Sequence, residues 1–150
     1  MFELVRSIRI EAERALGVAE IAADHPALID HFPGRPVVPG TWLLELSAQI
    51  AGPLAEEVAR ARHGLDRWAI LAMIHHAKLI APLAPPATIR IEATITRCDH
   101  STATVHVAAH AGDVLVVRCE LVFAMIDAPA GSEAAGAARR ERLARWKATS

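Results

Sequence analysis

From Ala87 to Arg97, apolar and polar residues alternate without a break. Ala87, Ile89, Ile91, Ala93 and Ile95 stand against Thr88, Arg90, Glu92, Thr94 and Thr96. Period two over that length predicts a strand with one buried face. Asp99, His100 and Ser101 form a turn signal, and alternation resumes over Thr102 to His110 with Ala103, Val105, Val107 and Ala109 inward. Gly112-Asp113 marks the next turn. Val114 to Ile126 then places Leu115, Val117, Cys119, Leu121, Phe123 and Met125 on one face. Three long strands joined by tight turns predict an antiparallel meander. Trp68 to Leu79 reads as another strand, set off from the meander by the rigid loop Pro82 to Pro86. Phe2 to Ile10 and Leu16 to Ala22 carry a weaker strand signal.

One segment breaks the alternation. Thr41 to His63 ends at Gly64, a natural helix stop. Its first half is apolar nearly all round, with Trp42, Leu43, Leu44, Leu46, Ala48, Ile50 and Ala51. Such a helix is expected to be buried. Its second half has one apolar stripe, Leu54, Ala55, Val58 and Ala59, opposite Glu56, Glu57 and Arg60. Gly52-Pro53 between the halves is expected to kink or loosen it. One buried helix followed by a long antiparallel sheet makes an α+β arrangement in which the sheet wraps around the helix.

After Asp127 the pattern stops. Residues 128–138 are Ala, Gly, Pro and Ser with one charge, and read as a linker. Residues 139–147 are basic, and the tail as a whole carries about +3, leaving about −4 for the rest. The expected organisation is one domain over residues 1–127 and a linker with a basic C-terminal tail over residues 128–150. That tail reads either as a solvated, partly disordered extension or as a helix that docks on an acidic partner.

Charge and composition narrow the chemistry. A net charge of −1 argues against nucleic acid as the main partner, because phosphate binding needs a basic face. No apolar run reaches the roughly 18 residues that span a bilayer. Charges spread over Met1 to Leu16 leave no signal-peptide core there. A cytoplasmic protein is the expectation. Cys98 and Cys119 form no CxxC and read as reduced thiols in strands. The eight histidines show no zinc spacing. His75 and His76 are adjacent and should face opposite sides of a strand, while His106 and His110 should share a wet sheet face. No metal site is expected.

The chemistry concentrates between His25 and Gly52. Three prolines and two glycines in residues 33–40 exclude helix and central strand, so a stiff loop carries His31 into the helix start. Thr41, Glu45 and Gln49 follow at i, i+4, i+8, along one line of that helix. On a buried helix, Glu45 would be a carboxyl in an apolar setting, able to hold a proton near neutral pH and act as a general acid. On a surface helix the same three residues are simply its wet face, and periodicity alone does not separate the two.

The run His31-Phe32-Pro33-Gly34-Arg35-Pro36-Val37-Val38-Pro39-Gly40, then Glu45 fourteen positions after His31, then Ala48-Gln49, closely resembles the 3-hydroxyacyl-acyl carrier protein dehydratases of fatty acid synthesis. The resemblance spans roughly Leu16 to Met125. It implies a hotdog fold, a long antiparallel sheet wrapped around one central helix, and a dimer whose active sites each take His31 from one subunit and Glu45 from the other. It implies that His31 removes a C2 proton from a 3-hydroxyacyl thioester. Glu45 then protonates the departing C3 hydroxyl, giving a trans-2-enoyl thioester. The Gly40 N–H is the implied donor to the thioester oxygen, and the Val37 carbonyl the implied acceptor for the second ring nitrogen of His31. Gln49 would support Glu45. No cofactor is implied beyond the phosphopantetheine that carries the substrate, on acyl carrier protein or coenzyme A. Arg35, Lys78 and the basic tail are candidate carrier contacts.

Glu at position 45 matches the plain dehydratase branch, whereas the branch that also isomerises the double bond has Asp there. The family's Pro-Gly-Asp before the meander is replaced by Pro85-Pro86-Ala87. The run Ala77 to Pro82 looks more like the dehydratase-like proteins of aryl polyene and other specialised lipid clusters. This departure bears on the acyl substrate more than on the chemistry. A hotdog acyl thioesterase, or a non-catalytic hotdog subunit of a heterodimeric dehydratase, are the alternatives.

Overall fold

A computed structural model describes residues 3–150. Phe2, the expected start of the first strand, lies outside the described residues. Six strands form one antiparallel sheet: β1 (Val5–Glu11), β2 (Arg14–Ile21), β3 (Trp68–Leu79), β4 (Ala87–Cys98), β5 (Thr102–Ala111) and β6 (Val114–Ile126). Their order across the sheet is β1-β2-β4-β5-β6-β3. Helix α1 (Gly40–His63) packs against the strands, and α2 (Glu133–Thr149) closes the chain. This is the hotdog arrangement that the resemblance implies.

The alternation read from the meander sets which face meets α1. Ile89, Ile91, Ala93 and Ile95 of β4 and Ala103, Val105, Val107 and Ala109 of β5 are all buried. So are Val117, Cys119, Leu121, Phe123 and Met125 of β6. Leu115 departs from the expected stripe and is only half-buried. A register shift between Ala109 and His110 puts Leu115 opposite His110 and interrupts the alternation there. From the helix, Leu43, Leu46, Ile50, Leu54, Ala55 and Val58 fill the space under the sheet. Approach is close at Gly17, where an added Cβ would lie 2.2 Å from Ile50 Cδ1.

The β4–β5 turn is held by Asp99, whose carboxylate accepts from the Ser101 and Thr102 N–H groups at 2.9 Å each. These amide bonds hold its pKa below the usual carboxylate value. The unfolded chain therefore takes up the proton first as pH falls. The stability gained is present above the usual carboxylate range and is lost as pH drops through the folded value. Asp99→Ala is expected to lower Tm at neutral pH, with the gap to wild type narrowing in acid. A gap independent of pH, read by circular dichroism melts, would contradict this.

α1 continues as one helix through Gly52-Pro53, with Gly52 buried facing Phe123. Two further expectations change. His75 and His76 do not sit cleanly on opposite faces. The β3 register shifts between His75 and Lys78, and His76 has φ +51°. Residues from Glu133 onward are not a patternless linker and tail but helix α2. Alanine-rich sequence carries little hydrophobic pattern yet favours helix, and the buried Trp146 anchors it. Ion pairs Arg145–Glu3 (2.9 Å), Arg139–Glu56 and Lys147–Glu57 bind it to the N-terminal segment and α1. The acidic surface it docks on belongs to its own chain. Both cysteines are free and buried, and burial pushes the Cys119 thiol up. No helix among the described residues is long and apolar enough to cross a membrane.

Candidate active site

The loop before α1 is pinned at both ends. Leu28, in the short 3-10 turn Pro26–Leu28, is buried, and so is Val38. The Val38 N–H donates to the Leu83 carbonyl at 2.8 Å. Between these anchors the chain bulges outward. The Arg35 N–H donates to the Phe32 carbonyl at 2.9 Å and the Phe32 N–H to the Arg35 carbonyl at 3.2 Å. Gly34 supplies the φ of +75° that this tight turn requires. His31 sits at its base, exposed, beside a Phe32 that is 60% exposed. Val37 meets His31 through backbone, its N–H donating to the His31 carbonyl at 2.6 Å.

Pro39 caps the helix start without a side-chain hydrogen bond, which leaves the first-turn amides to other partners. Gly40 lies under Leu79 of β3, where an added Cβ would sit 2.3 Å from Leu79 Cδ1. One turn on, Glu45 accepts from Gln49 Nε2 at 3.1 Å. The structure thus brings together two of the implied residues on one helix, and holds Val37 against His31.

Glu45 and Gln49 line a half-open cavity of about 740 Å³ whose walls come from α1, the start of β3 and α2. His31, Val37 and Gly40 do not line it. Within one chain the acid and the base therefore do not face a shared cavity. The carboxyl is also exposed, not buried as an apolar helix would imply. The first half of α1 keeps an open face, formed by Thr41, Glu45 and the half-buried Gln49. Arg35 and Lys78, the candidate carrier contacts, are both exposed. Among the described residues, no cluster of His, Cys, Asp and Glu could hold a metal. The site that one chain presents is one carboxyl on a channel and one histidine on an exposed loop.

Sequence reasoning missed the far end of this cavity. Trp68, Arg139, Leu143 and Trp146 line it, and the Arg139 guanidinium lies 4.2 Å over the Trp68 ring. The only signal was the spacing of Arg139, Leu143 and Trp146 along one side of a helix within a segment read as tail.

An antiparallel sheet packed on one central helix defines a hotdog protein. Residues 7–117 match the family model described as ApeI-like, ApeI dehydratase, and the chain belongs to that family. It is 31% identical over 125 residues to the 3-hydroxyacyl-acyl-carrier-protein dehydratase FabZ of Thermomicrobium roseum, covering 81% of this chain and 80% of that one. Among solved structures, the dehydratase heterocomplex ApeI:P from Xenorhabdus doucetiae superposes with a TM-score of 0.65 at 13% identity, covering 91% and 89% of the two chains. The protein smu.793 of Streptococcus mutans UA159, bound to acetyl CoA, gives 0.66 at 13% identity over 83% and 90%. At such identities the structures speak for the fold.

Proposed function

We propose that this protein reversibly dehydrates 3-hydroxyacyl thioesters, carried on acyl carrier protein, to trans-2-enoyl thioesters in fatty acid or polyene biosynthesis in the cytoplasm. The observation that carries the proposal is the hydrogen-bonded Glu45–Gln49 pair on the cavity wall, one motif away from His31. His31 takes the C2 proton and the electron pair forms the C2–C3 double bond. The C3–O bond breaks, and the hydroxyl leaves as water with the proton of Glu45. Proton exchange with solvent then resets both groups.

The enolate that develops needs a donor at the thioester oxygen. The Gly40 N–H, at the positive N-terminal end of α1, is the proposed donor, and removal of comparable donors costs about 10²–10³ in rate. Val37 holds the His31 backbone, and its carbonyl is the proposed partner of the second ring nitrogen. Gln49 orients Glu45. The chemistry asks for two proton transfers and no cofactor, since the substrate arrives activated on phosphopantetheine.

The working assembly is a homodimer, or a higher homo-oligomer built from such dimers. β3 is an edge strand, paired only with β6, and Ile70, Met73 and Ile74 are exposed on it. Such an edge is a template for pairing with another chain. A second copy there would cover these residues and bring its own His31 toward Glu45. The test is to incubate the purified protein with 3-hydroxyacyl and trans-2-enoyl thioesters. Their interconversion is the expected result. Release of free thiol would mean a thioesterase, and no turnover would mean a non-catalytic subunit.

A further inference from the structure

We propose that helix α2 is the end wall of the acyl channel, and that Trp68 and Arg139 on that wall set how long an acyl chain the enzyme accepts. This rests on the dehydratase reading of the Glu45 end of the same cavity. It assigns a role to a segment outside residues 7–117, which the family model matches.

Glu45 and Gln49 of α1 and Gly136, Arg139, Leu143 and Trp146 of α2 line the same cavity. From Glu45 to Glu56, α1 advances by about 16 Å, so a chain lying along it from a reacting centre at Glu45 points at α2. What it meets there is built rather than incidental. Glu56, with its side chain only 17% exposed, accepts from the Ala69 N–H at 2.9 Å and pairs with Arg139. One carboxylate thus ties the start of β3 to α2. Arg139 in turn covers the Trp68 ring. Gly136 is buried on the next turn of α2, where an added Cβ would lie 3.6 Å from the Trp68 ring, so the helix passes close over it. A wall fixed by a half-buried ion pair and a stacked ring gives way less readily than a loop. Chain carbons beyond it would have to displace α2 or stay in water.

Each methylene that gains a buried position is worth about fourfold in affinity. Arg139→Ala, which leaves Glu56 bonded to the Ala69 N–H, removes part of the wall. It should raise the ratio of long-chain to short-chain kcat/KM by about fourfold for each carbon newly accommodated. Trp68→Ala should raise it further. Gly136→Leu fills the same space, gains helix propensity, and should shift the preference to shorter chains.

The experiment measures two length profiles on the full-length wild type and the three variants. One is turnover of 3-hydroxyacyl thioesters, and the other is binding of unreactive acyl-pantetheine amides read by tryptophan fluorescence quenching, or by calorimetry for Trp68→Ala. Shifts of opposite sign for the opening and filling variants support the wall. Wild-type profiles in folded variants overturn it. If the wild type turns over no 3-hydroxyacyl substrate, the dehydratase reading fails, and the binding profile still decides the wall. If the amides bind at no length and no substrate is turned over, both fail. Should Trp68→Ala not fold, the Arg139→Ala and Gly136→Leu pair carries the decision.

Discussion

Glu45→Gln and His31→Ala are each expected to lower the dehydration rate by about 10²–10⁴, the usual worth of a positioned acid or base. The two substitutions probe different halves of one step. The introduced glutamine would keep the volume of the carboxyl and a polar contact with Gln49, but it has no proton that can leave with the C3 hydroxyl. The introduced alanine would remove the base and its ring contact with Phe32, and leave the backbone of the loop in place. The His31 backbone is held by the Leu28 carbonyl at 3.0 Å and by the Val37 N–H, neither of which involves the ring. Both side chains are exposed in a single chain, so neither substitution opens a cavity in the core. The loss should fall on kcat, with Tm near that of wild type. Steady-state kinetics beside a thermal melt checks this. A folded variant with near-normal kcat would remove that residue from the mechanism.

Ile74→Lys on the β3 edge is expected to dissociate the dimer and take most of the activity with it. A lysine buried between two paired edges costs several kcal/mol of desolvation. A penalty of about 4 kcal/mol weakens association by about 10³. In the monomer the same lysine stands in solvent, since Ile74 is exposed there, so the fold itself should survive. Sedimentation at assay concentrations reads the assembly and the thioester assay reads the activity. A monomer with full turnover would show that one chain carries a complete site.

Much of the fold is legible in the order of residues, because the forces that set it are periodic. The alternation in β4 and β5 follows from one face meeting α1, and the observed burial reproduces it residue by residue. Legibility fails wherever local geometry overrides periodicity. A bulge at Ala109/His110 displaces Leu115, and the His75/Lys78 shift disturbs two histidines. α2 escapes a pattern-based reading because its anchors are few. Leu143 and Trp146 supply its apolar contact, and the rest of its hold is ionic, through glutamates Glu3, Glu56 and Glu57 that are distant in sequence. No pattern within the tail could announce them. The site is legible as a motif but not as an environment. The segment from His31 to Gln49 names its residues, whereas the exposure of Glu45 depends on which surfaces a second chain covers. An apolar composition around Glu45 suggests burial. The single chain leaves that face open.

Mixing purified His31→Ala with Glu45→Gln, after reversible dissociation, tests the central claim most directly. If each active site joins a histidine from one subunit to a carboxyl from the other, every mixed dimer contains one intact site and one doubly substituted site. Random pairing then returns about a quarter of wild-type activity from two inactive proteins. A mixture as inactive as its components, with mixed dimers shown to have formed, would contradict the account.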